Sequence, residues 1–119
     1  MTPLPPLAAS LTPRWKVWFE HEGRVALSDW RVELLEAIDA GGSLAEAARR
    51  LNVPYKTAWY KLQEVEEGLG VAVLTTATGG AKGGSASLTP AGKEIVRRYH
   101  EVVDGIEELI DQRFRRAFS

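Results

Sequence analysis

The sequence contains no cysteine, two histidines and a single methionine. Without cysteine there is no disulfide framework and no thiolate metal or redox chemistry. His21 and His100 lie far apart in the chain and read as surface residues, so no metal site is expected. No run approaches the roughly 18 apolar residues of a membrane span. Residues 1–13, MTPLPPLAASLTP, carry no charged side chain, so the basic region of a secretory signal is missing. Pro3, Pro5, Pro6 and Pro13 also disfavour a regular helix there. These absences lead us to expect a flexible N-terminal arm over 1–13 on a cytoplasmic chain without membrane contact. No nucleophile–base pair or carboxylate dyad stands out either. An enzyme is not expected, and neither catalytic residues nor a cofactor are assigned.

Acids are missing where they would matter for an anionic partner. None occurs between Gly68 and Lys93, nor between Ala47 and Gln63, a stretch that holds Arg49, Arg50, Lys56 and Lys61. Conversely, Glu101–Asp111 holds five acids and no base. The net charge of −1 therefore conceals a basic and an acidic region. With 119 residues, 45% of them hydrophobic, and four tryptophans, the chain suffices for one core and little more.

Local patterns give the order of elements. Trp15, Val17 and Phe19 alternate in RWKVWFE, which reads as a strand paired through a Glu22-Gly23 turn with Arg24–Leu27. Ser28 or Asp29 caps a first helix that carries Trp30, Leu34, Leu35 and Ile38 and stops at Gly41-Gly42. Ser43 followed by Glu46 is a capping-box pattern opening a short helix, Leu44–Leu51. Asn52-Val53-Pro54 makes a tight turn into a third helix. Its apolar stripe is Ala58, Leu62, Val65 and Leu69, and Gly68 and Gly70 stop it. Val71–Thr75 and Ser85–Leu88 read as strands around a glycine loop, and Thr89-Pro90 launches a long last helix.

Helix, short helix, tight turn, helix and hairpin outline a winged helix-turn-helix. The expected fold is mainly α with small β-hairpins: a winged helix-turn-helix over 14–89 with an N-terminal hairpin, and a long C-terminal dimerisation helix over 90–119. Subtracting the apolar stripe leaves Tyr55, Lys56, Thr57, Tyr60 and Lys61 as the free face of the third helix. These are donors suited to phosphates and base edges. Arg50 joins them as a candidate DNA contact. A nucleotide loop fits poorly, because Lys82 precedes Gly83-Gly84 and a strand, not a helix, follows.

The pieces Gly42-Ser43, Ala47-Ala48, Tyr55–Trp59 (YKTAW), Ala77–Gly80 (ATGG) and Leu88–Gly92 (LTPAG) resemble the N-terminal DNA-binding domain of ModE-type molybdate-responsive regulators, which are LysR-like. The resemblance covers roughly Trp30 to Tyr99. It implies a sequence-specific transcription regulator binding double-stranded DNA at a palindromic operator as a homodimer. It implies DNA contacts at Ser43, Tyr55, Lys56, Thr57, Tyr60, Lys61, Thr78 and Lys82, and a core position for Trp59. The larger family members carry C-terminal molybdate-binding domains, and this sequence ends where those would begin, so molybdate binding is not expected of it. In the last helix Ile95, Tyr99, Val102, Ile106 and Leu109 step by 4, 3, 4, 3, with Ile110 alongside. This stripe is the expected dimer interface. The alternative is a protein-interaction module built on the same scaffold, with no DNA role.

Overall fold

The computed structural model describes residues 2–77 and 84–119. The elements follow in the order α1 (Leu7–Ser10), β1 (Trp18–His21), β2 (Arg24–Ser28), α2 (Asp29–Gly41), α3 (Leu44–Arg50), α4 (Tyr55–Leu69), β3 (Leu74–Ala77), β4 (Ser85–Leu88), α5 (Pro90–Val103) and α6 (Ile106–Phe118). The strands form two separate antiparallel pairs, β1 with β2 and β3 with β4.

The first hairpin turns at Glu22 (φ 50°) and Gly23 (φ 79°), the paired positive φ values that suit a two-residue hairpin loop. Its register shifts between Phe19 and Glu20, leaving Ala26 as the extra residue of β2. The bulge lets consecutive Ala26 and Leu27 both turn inward, and both are buried. Ala26 then meets Gly68 of α4, where an added Cβ would lie 2.8 Å from the Ala26 Cβ. Gly68 is thus an interior helix residue kept small by a strand, and Gly70 alone, in the left-handed conformation, ends α4.

Side-chain caps open α2, α3 and α5. The Ser28 hydroxyl accepts the Arg31 N–H, and the Thr89 hydroxyl accepts the Gly92 N–H with Pro90 at the first helical position. Ser43 Oγ accepts the Glu46 N–H at 3.0 Å. The reciprocal half of the expected capping box is replaced: the Glu46 carboxylate pairs with Arg49 one turn on. That guanidinium also holds the Glu46 carboxyl below its usual range. Asn52 takes the left-handed φ of 57° and closes the turn between α3 and α4.

The core sits among α2, α3, α4 and the inner faces of the hairpins, with Leu34, Leu35, Ile38, Ala47, Ala58 and Val65 fully enclosed. Small residues at Ala47, Ala48 and Ala58 let α3 brace α4 closely. Arg31 is buried there as well. It donates to the Val25 carbonyl at 2.8 Å and approaches Glu64 at 3.5 Å, so its charge is neither unpaired nor unsatisfied.

Further expectations from the sequence need correction, among them the first wing strand, which runs Leu74–Ala77 and not Val71–Thr75. One helical turn, α1, forms within 1–13 despite the prolines, because Pro5 and Pro6 precede it and supply carbonyl acceptors. The first strand begins at Trp18, later than Arg14. The last helix is not continuous: Asp104 is extended (ψ 134°) and Gly105 is left-handed (φ 91°), separating α5 from α6. Glycine adopts that φ without the steric penalty a Cβ brings, so Gly105 is a break and not a mid-helix residue. Trp59 does not lie in the core and is 43% exposed. The space beneath α4 is already closed by Ala58 against α3, and one residue onward the helix turns the indole out toward β3 and β4.

Candidate nucleic-acid interface

The wing base is fastened to the helices by carboxylates and backbone. Glu66 of α4 accepts the N–H groups of Val73 (2.8 Å) and Leu74 (3.4 Å) at the start of β3. Asp39 of α2 accepts the Leu88 N–H at 3.1 Å, at the end of β4. The Ala86 N–H donates to the Gly42 carbonyl at 2.7 Å, and the Thr89 N–H to the Val73 carbonyl at 2.9 Å. Strand β4 alternates cleanly, with Ala86 and Leu88 buried and Ser85 and Ser87 outward. β3 is therefore tied to α4 and β4 to the C-terminal end of α2.

Along α4 the outward surface is aromatic and cationic. Tyr55 and Tyr60 are 56% and 52% exposed, and Lys56 is exposed with no ion-pair partner among the described residues. Tyr60 meets Trp59 edge to face at 5.2 Å between ring centroids. Thr57 and Lys61 are half-buried on the flank away from the wing. Lys61 Nζ lies 3.3 Å from Glu64, so part of its charge is answered within the chain. Ser43 is half-buried with its oxygen committed to the α3 cap, leaving the hydroxyl proton to donate. Arg50 is exposed at the end of α3, its guanidinium near Gly41. Thr78 and Lys82 lie outside the described residues.

Between α3, α4 and the wing runs a groove of about 750 Å³. Tyr55, Trp59 and Gln63 line it from α4, Arg49 from α3, and Thr76 and Ser85 from the wing. Trp59, Gln63 and Arg49 were not among the DNA contacts expected from the sequence. Spacing alone could have found the first two, because Tyr55, Trp59 and Gln63 step by four residues along one helix face.

The candidate dimer residues separate into two groups. Ile95 is half-buried against the chain's own core. Tyr99 is fully enclosed: its ring packs 5.3 Å from Phe19, and its hydroxyl donates to Asp29 at 2.5 Å beside the Val17 carbonyl. Its expected place on a free stripe is thus corrected, since the protomer already uses it. By contrast, Val102 and Leu109 are 53% and 47% exposed, with Ile106 half-buried beside the break and Ile110 half-buried near Thr12–Trp15.

The sequence pattern of the family described as bacterial regulatory helix-turn-helix protein, lysR family, matches residues 31–93, more than half of the chain. The chain belongs to the lysR family of bacterial regulatory helix-turn-helix proteins. Among curated relatives, this lysR-family chain is 41% identical over 80 residues to the molybdenum-pterin-binding protein MopB of Rhodobacter capsulatus, covering 67% of this chain and 30% of that protein. It is 33% identical over 69 residues to the DNA-binding transcriptional dual regulator ModE of Escherichia coli (strain K12), covering 58% of this chain and 26% of that protein. The chain thus spans under a third of the length of these relatives. Among solved structures, the DNA-binding domain in the CbnR_DBD–DNA complex superposes with a TM-score of 0.60 at 23% identity, over 76% of this chain and 99% of that one. That in the BenM_DBD/benA site 1 DNA complex gives 0.55 at 18% identity, over 76% and 97%. These two likenesses establish the winged-helix fold. No helix among the described residues is long and apolar enough to cross a membrane.

Proposed function

We propose that this chain is a sequence-specific DNA-binding transcription regulator, with α4 as the recognition helix. The observation that carries the reading is the outward face of α4: Tyr55, Lys56 and Tyr60 project from a helix braced by α3, with no acid in its first turn. Such a face offers a cation to phosphates and hydroxyls to base edges. The relatives named for DNA binding and for molybdenum lend the reading support, without extending their effector to this chain.

The functional unit is a homodimer in the cytoplasm. Support comes from α6, which buries no residue in the protomer yet carries exposed Leu109 and Phe118, with Val102 exposed just before the break. A second copy is the simplest cover for such a face. Two-fold symmetry then requires a roughly palindromic operator with half-sites one or two helical turns apart. Lys82 of the wing contacts the DNA backbone in this reading, and Thr57 and Tyr60 bear on sequence preference.

Selection of preferred sites from random duplex DNA, with and without molybdate, tests the proposal. Enrichment of a symmetric motif supports it, and an unchanged motif and affinity with the oxyanion supports a regulator that does not itself sense molybdate. Failure to enrich any duplex favours a protein-interaction module, whose contact face would be the same exposed tyrosines.

A further inference from the structure

The exposed indole of Trp59 meets Tyr60 edge to face and lines the groove between α3, α4 and the wing. It occupies the flank of α4 that faces the wing, 43% exposed, and makes no hydrogen bond to any described residue. It shares the groove with Tyr55, and Tyr55, Trp59 and Tyr60 are all exposed on the helix read as the recognition element. A lone exposed apolar side chain is ordinary, but an aromatic group on a functional helix face marks a contact.

The chemistry narrows what that contact is. An indole offers a broad apolar face and one N–H donor. Its two tyrosine neighbours carry hydroxyls, and Lys56 carries the charge, so polar and ionic contacts are already provided on this face. Within a major groove the one apolar group at a base edge is the C5-methyl of thymine. Leu44, Ala45 and Leu74 also line the groove that Trp59 faces, alongside its polar residues, so an apolar group there has apolar neighbours.

Building on the proposed DNA-binding function, we propose that Trp59 is a specificity-determining residue that packs against a thymine methyl on the wing-facing side of the recognition helix. It selects thymine at one position of each half-site. It neutralises no phosphate, so its contribution is insensitive to salt.

The test uses the full chain and the duplex preferred in site selection. Each thymine of the half-site is replaced in turn by deoxyuracil, which removes only the methyl. Wild type should lose about fourfold in affinity at one position, the worth of one buried methyl-sized group. Trp59→Ala should bind more weakly, keep the wild-type salt slope, and show no loss from that same replacement. Trp59→Gln, which retains a solvent-compatible side chain, repeats the test if Ala lowers the melting temperature. Equal losses in wild type and both variants at every thymine would overturn the inference while leaving DNA binding intact. So would a preferred half-site without thymine. Absence of salt-sensitive binding to any duplex would instead remove the DNA-binding reading, and this inference with it.

Discussion

Gly92 is the second glycine-dependent contact of the fold and the more demanding one. It lies in the first turn of α5, and a Cβ built there would sit 2.5 Å from the Val73 carbonyl oxygen and 3.2 Å from its carbon. Ordinary contact begins at 3.4 Å, so in Gly92→Ala the Val73 backbone must retreat by about 0.9 Å. That carbonyl also accepts the Thr89 N–H at 2.9 Å, and the Thr89 hydroxyl donates to the adjacent Ala72 carbonyl at 2.8 Å. The retreat weakens both. Overpacking costs about 1–3 kcal/mol, a weakened hydrogen bond about 1 kcal/mol, and the gain in helix propensity returns up to about 1 kcal/mol. The net is about 2 kcal/mol, or a melting temperature lowered by about 8 °C at roughly 4 °C per kcal/mol. Circular dichroism melts and urea titrations of wild type and Gly92→Ala measure it. Because Val73 opens into β3, duplex affinity should also fall at temperatures where the variant is fully folded. A variant within about 0.5 kcal/mol of wild type, the scatter of an ordinary surface substitution, would refute the direct packing of the wing base on α5.

Gly68→Ala should destabilise by about 1 kcal/mol, overpacking against Ala26 outweighing helix propensity, and the double variant Ala26→Gly, Gly68→Ala should recover part of the loss in urea titrations. Tyr99→Phe should cost about 1 kcal/mol in the same assay, through the lost hydrogen bond to Asp29. Burial, then the Asp29 hydrogen bond and charge, push the Tyr99 phenol above its usual 10.0. The folded chain therefore keeps a proton that the unfolded chain releases: this contribution is complete below about pH 10 and is lost as the pH rises beyond it. Melts between pH 8 and 11 should show an alkaline decline in wild type that is weaker in Tyr99→Phe. Lys56→Ala should reduce the slope of log affinity against log salt by about 0.9, one phosphate contact, in anisotropy titrations.

What could be read from the sequence was local chemistry. Ser28, Ser43, Asn52, Thr89-Pro90 and the glycines at 42 and 70 do in the structure what their types suggest, because a cap or a left-handed turn depends on nearby backbone alone. Of the wing strands, Ser85–Leu88 lies where it was expected, whereas the strand expected at Val71–Thr75 runs Leu74–Ala77. Tertiary roles were hidden. Glu66 and Asp39 look like solvated acids until β3 and β4 bring backbone N–H groups to them. Arg31 looks like a surface residue until Val25 and Glu64 close on it. The apolar period across Val102, Ile106 and Leu109 survives the interruption at Asp104-Gly105, so periodicity suggested a continuous helix. Trp59 was misplaced because the resemblance was taken to imply a core position, although the residue falls on the flank of α4 beside the wing and not on the Ala58–Leu62–Val65 stripe.

The central claim is that the outward face of α4 binds duplex DNA with sequence preference. Anisotropy titration of the full chain against its selected duplex and a scrambled duplex, each at 50 and 200 mM salt, tests it most directly. The account predicts tighter binding to the selected duplex at both salts, a steep loss of affinity for both duplexes at the higher salt, and a narrowed preference in Tyr60→Ala. Equal affinity for the two duplexes, or binding indifferent to salt, would contradict it.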